Sequence, residues 1–83
     1  MKLVDIGGTE YRMFTFASIH DDDQTVECQE AESGKLVCEI RIPPTGPRYF
    51  ARVSEGLNVD AVKTLIEYLE EQFPLPPGSG RQI

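Results

Sequence analysis

Tryptophan is absent from the 83 residues, histidine occurs once and cysteine twice. Two cysteines are too few for the crosslinked framework of a small secreted protein, and with one histidine they do not compose a zinc set. Reduced thiols and a cytoplasmic setting are therefore expected. No window approaches the roughly 18 consecutive apolar residues of a membrane helix, and the N-terminus lacks the basic-then-apolar order of a signal peptide. Cations are scarce as well: eight Lys and Arg stand against 14 Asp and Glu, a net charge of −6. That balance opposes the counterion release that drives generic nucleic-acid binding, so direct contact with DNA or RNA is not expected. It serves solubility, and it suits a basic protein partner. Glycine-rich phosphate loops are missing too. Gly7-Gly8 matches neither GxGxxG nor the Walker pattern, and a strand rather than a helix follows it.

What is present suffices for one small core. Hydrophobic residues make up 40% and charged residues 27% of the chain, close to ordinary globular usage. The expected fold class is α+β: a β-meander of four strands, with a fifth open at Tyr49 to Val53, followed by one C-terminal helix packed on one face. A single domain over residues 1–73 and a flexible Pro/Gly-rich tail over 74–83 are expected.

Lys2 to Ile6 is short and β-rich, and Gly7-Gly8 accepts the positive φ angles of a tight hairpin. From Thr9 to His20, Tyr11, Met13, Ala17 and Ile19 share one side of a strand, while Phe14 and Phe16 share the other. Asp21-Asp22-Asp23 ends this strand through repulsion and turn preference. The strand from Gln24 and the strand from Lys35 to Ile42 have a register that can be argued. A three-residue Glu32-Ser33-Gly34 loop pairs Val26 with Ile40 and Cys28 with Cys38, keeping apolar opposite apolar, whereas a two-residue loop sets Val26 against Arg41. Pro43-Pro44-Thr45-Gly46-Pro47 interrupts the ladder, since proline lacks the donor and fixes φ.

The helix is the clearest element. Val59, Val62, Ile66, Leu69 and Phe73 recur at threes and fours, with Leu65 and Tyr68 widening the stripe. Asn58 is a good N-cap, Asp60 suits the first turn, and Leu57 is placed to staple onto Val62. Pro74 ends the helix at or just before Phe73. The segment Pro74-Leu75-Pro76-Pro77 has PxxP spacing, but a helix stop followed by a linker explains it fully.

No motif marks a catalytic set, and no cofactor is implied. His20 with Asp21, Asp22 and Asp23 offers hard-cation ligands, yet no spacing matches a calcium loop and adjacent strand residues diverge. A solvated turn is the plainer reading. Cys28 and Cys38 read as buried, unreactive thiols, because both lie on the apolar side. Phe14 and Phe16 are more informative: one helix covers only one face of a small sheet, so two phenylalanines on the other need the proline loop, the tail or a second protein as cover. Arg41, Arg48, Tyr49, Phe50 and Arg52 form the most basic and aromatic patch, of residue types that concentrate binding energy at interfaces, although loop aromatics often simply close a core. Together these features point to a small acidic protein-interaction module that self-associates or binds a larger, basic protein. The competing reading is a small metal-dependent binding protein or enzyme using His20 and Asp21 to Asp23.

Overall fold

The computed structural model describes residues 1–17 and 22–75. Five short β-prone runs form β1 (Lys2–Ile6), β2 (Thr9–Ala17), β3 (Gln24–Glu30), β4 (Leu36–Ile42) and β5 (Tyr49–Val53), and α1 (Val59–Gln72) follows. Each strand pairs with its chain neighbour, giving one antiparallel meander in the order β1-β2-β3-β4-β5. The expected α+β meander with a C-terminal helix is thus present, and the segment Tyr49 to Val53, left open on the sequence, is a fifth strand. Only Pro74 and Leu75 of the expected tail fall within the described residues.

The first turn follows from its glycines. Gly7 and Gly8 have φ of +60° and +86°, the pair of positive values that lets a two-residue loop match strand twist. Asp5 Oδ1 accepts from the Gly8 N–H at 3.2 Å, closing the turn from the side chain. Ile6 consequently faces Thr9, and Val4 faces Tyr11.

Between β3 and β4 the expected pairs are both found, Val26 with Ile40 and Cys28 with Cys38. The loop itself differs. The register shifts after Cys28 so that Gln29 faces Leu36, and the Glu30 N–H donates to the Lys35 carbonyl at 2.9 Å. One residue is absorbed into a bulge at Leu36-Val37, and the turn becomes the four residues Ala31 to Gly34 instead of Glu32-Ser33-Gly34. Gly34 still takes the left-handed conformation expected of it, with φ of +74°.

One face of the sheet is closed by the helix. Tyr11, Met13, Val26, Cys28, Cys38 and Ile40 pack with Ala61, Leu65, Tyr68 and Leu69, and Met13, Val26, Cys38 and Leu65 are wholly excluded from solvent. Asn58 caps α1 as expected, its Oδ1 accepting from the Asp60 N–H at 2.7 Å. At the other end the Phe73 N–H donates to the Leu69 carbonyl, and an Arg48 Nη2 donates to the Phe73 carbonyl, tying the start of β5 to the helix end.

The buried stripe of the helix is rotated from the expected one. Its centre is Ala61, Leu65, Tyr68 and Leu69, whereas Val59 is 78% exposed and Ile66 lies at the surface. The reason is angular: at 100° per residue the apolar positions from Tyr68 round to Val59 span an arc of about 180°, wider than a small sheet can cover. The helix lies over β2 and β3, so the side of the arc toward β5 stays open.

Candidate interaction surface

Antiparallel pairing sets residues from successive strands in cross-strand rows. Phe14 faces Glu27, Glu27 faces Glu39, and Glu39 faces Arg52. The neighbouring row runs Phe16, Thr25, Arg41, Tyr49. Side chains alternate along a strand, so both rows lie on the face turned away from Met13, Cys28 and Cys38, and hence from the helix. The two phenylalanines therefore share the uncovered face with Arg41, Tyr49 and Arg52. Phe50 does not join them: it is paired with Ile40 and belongs to the helix side. A register shift between Glu39 and Ile40 explains how Phe50 and Arg52, two apart in sequence, point to opposite faces. Arg48 precedes β5 and is held by the end of the helix.

Exposure differs along this face. Phe14 is half-buried by its neighbours, Phe16 is 57% exposed and Tyr49 is 46% exposed. Thr25 is buried between Phe16 and Arg41 in the second row, and its hydroxyl donates to the Phe16 carbonyl at 2.9 Å. Arg41 donates from Nη2 to Glu39 Oε2 at 2.9 Å, while its Nε is buried with no acceptor among the described residues. Glu27 is the strained member. Partial burial, then the Glu39 carboxylate directly opposite, push its carboxyl above the ordinary value, and Arg52 and Arg41 offset part of that rise.

The cysteines face each other from β3 and β4 and are both free, with essentially no exposure. Burial, helped by its neighbour, pushes the Cys28 thiol up to about 11, and burial raises Cys38 also. Thiols held protonated in this way are poor nucleophiles. His20 and Asp21 lie outside the described residues, so the cluster with Asp22 and Asp23 has no described geometry. Among the described residues no group of three or more His, Cys, Asp or Glu is placed to hold a metal ion, and no helix is long and apolar enough to cross a membrane.

A second exposed apolar region escaped the sequence reading. Ile40, Arg48, Phe50, Ile66 and Leu69 line an open cleft of about 180 Å³ between α1 and β5, and Tyr49, at the start of this edge strand, borders both the cleft and the uncovered face. Beyond Ile66 the helix carries a shallow strip of Val59, Val62, Lys63, Glu67 and Glu70. The signal was available in the arc of the helix, which holds more apolar residues than one sheet face can shelter.

Comparison of the chain with protein-family models, with curated proteins and with solved structures finds no match.

Proposed function

We propose that the protein is a non-catalytic, acidic interaction module that holds a protein partner through its uncovered sheet face. One observation carries this reading: Phe16, 57% exposed, stands on a face that the only helix among the described residues does not cover. Phe14, Arg41, Tyr49 and Arg52 share that face. Aromatic and arginine side chains grouped this way supply contact area at low entropic cost, together with directional hydrogen bonds. The net charge of −6 would steer a basic partner toward the molecule.

Capture from the native source with wild-type chain, Phe16→Asp and Val59→Asp tests it. A partner retained by wild type and by Val59→Asp, and lost by a folded Phe16→Asp, is the expected result. Retention of the same partner by Phe16→Asp would place its binding elsewhere and overturn the reading.

A further inference from the structure

The strip on the far side of the molecule is independent of the Phe16 face, and its charges identify what fits it. Ile66 is the ridge shared by the cleft against β5 and the shallow strip along α1. Val59, Val62 and Ile66 give the strip an apolar line at helical spacing, and Val59 is 78% exposed. Glu67 lies beside this line, turned about 100° away from Ile66, while nearer to it Lys63 flanks the line toward the N-terminal end and Glu70 flanks it on the same side toward the C-terminal end. At 100° per residue the two side chains point within about 20° of each other around the helix axis. At 1.5 Å per residue they stand about 4.5 and 6 Å on opposite sides of Ile66.

This arrangement is self-complementary in one way only. A second helix of the same sequence, antiparallel and related by a two-fold axis through Ile66, sets Ile66 against Ile66. It brings each Lys63 to within about 1.5 Å, along the axis, of the other copy's Glu70. A parallel copy related by a two-fold axis would carry Lys63 and Glu70 of the two chains to opposite flanks of the helix pair, where they cannot meet. We infer that α1 pairs with α1 of a second copy of this chain, antiparallel about Ile66, through Val59, Val62 and Ile66 and two reciprocal Lys63–Glu70 ion pairs.

The flank opposite Lys63 and Glu70 faces the cleft, so both Phe50 side chains come to the same side of the helix pair and widen the apolar contact. A helix of 14 residues with this margin offers a contact at the small end of specific interfaces, so the association is expected to be concentration-dependent. The helix and the Phe16 face lie on opposite sides of the sheet, so the dimer presents two uncovered faces. A partner with repeated sites would gain from that bivalency.

Sedimentation equilibrium on the full chain from about 1 to 300 µM, a range that brackets micromolar dissociation constants, tests the pairing. The expected result is a mass rising from one copy to two. Ile66→Glu should weaken association at least tenfold while leaving helical circular dichroism unchanged. Lys63→Glu alone and Glu70→Lys alone should each weaken it about tenfold, since each places like charges together twice. The double variant Lys63→Glu/Glu70→Lys restores the pairs with signs exchanged and should recover wild-type association, a rescue that loss of folding would not give. A single-copy mass for wild type across the range would overturn the inference, as would failure of the double variant to recover. Phe16→Asp should leave the mass unchanged; if it abolished association instead, the contact would lie on the opposite face and the inference would fall, whatever the partner-capture result.

Discussion

Met13 and Phe14 are neighbours in β2, yet one is wholly buried and the other stands on the uncovered side of the sheet. The contrast extends to the two faces as wholes. Beneath the helix, Tyr11, Met13, Val26, Cys28, Cys38 and Ile40 present nothing charged, and their neutral packing against Leu65, Tyr68 and Leu69 is where the fold gains its stability. The other face carries Glu27 opposite Glu39, an arrangement that costs free energy in a sheet and that burial under a helix would not tolerate. A face kept charged, aromatic and partly exposed adds little to folding and is free to be shaped by contacts. The same strands thus separate a neutral, buried face from a charged, partly exposed one by the period-two alternation of their side chains.

The sharpest way to break this division is to truncate equivalent side chains on the two sides. Leu65→Ala should lower unfolding free energy by about 3 kcal/mol, because a fully buried leucine leaves a cavity as well as losing transfer energy. Leu3→Ala, at a position 56% exposed, should cost under about 1 kcal/mol. Urea midpoints for the two variants give the comparison directly, and equal losses would dissolve it. Next in size is an alkaline effect confined to the closed face. The unfolded Cys28 thiol ionises near 9, whereas the folded one holds its proton to about 11. Over that interval the folded chain binds more protons than the unfolded chain, so stability falls as pH rises from about 9 to 11. Cys28→Ala should flatten that slope relative to wild type in denaturant titrations at each pH.

Much of this division was legible in the residues. The alternation in β2 placed Met13 and Phe14 on opposite sides, and matching apolar positions paired Cys28 with Cys38, because a one-residue slip would have turned every side chain over. Asn58 and Pro74 bracketed the helix for reasons of hydrogen bonding and proline geometry that act locally. What escaped was set by the assembled fold. The bulge at Leu36-Val37 changed the turn without changing the pairs that flank it. The rotation of α1, which buries Ala61 and leaves Val59 out, follows from where the helix lies over β2 and β3, and the wide apolar arc fitted several rotations. Phe50, grouped in sequence with Tyr49 and Arg52, was sent to the other face by the register shift beside Ile40. Of the expected site residues, Phe14, Phe16, Arg41, Tyr49 and Arg52 share one surface, while Arg48 is engaged by the helix end.

The smaller predictions concern the uncovered face. Glu27→Gln should stabilise the fold by about 0.5 kcal/mol near neutral pH, since it removes a carboxylate that is partly buried and set against Glu39. The effect fades with acid: the folded Glu27 holds its proton to higher pH than the unfolded one, so the charged form is the costly one, and the advantage of Gln should vanish as pH falls below the carboxylate range. A Gln variant less stable than wild type at neutral pH would show that Arg41 and Arg52 more than offset the repulsion.

The least change is expected at the most exposed phenylalanine. Phe16→Thr keeps a residue that favours strands, leaves the Phe16 carbonyl available to the Thr25 hydroxyl, and removes a ring that remains 57% in solvent. Its unfolding free energy should stay within about 0.5 kcal/mol of wild type. A loss near the 3 kcal/mol scale of Leu65→Ala would mean the ring is sheltered by a part of the chain and contributes to the core, and the two faces would then differ in chemistry but not in role. An unchanged midpoint, with partner capture lost in the same variant, would separate recognition from folding at a single side chain.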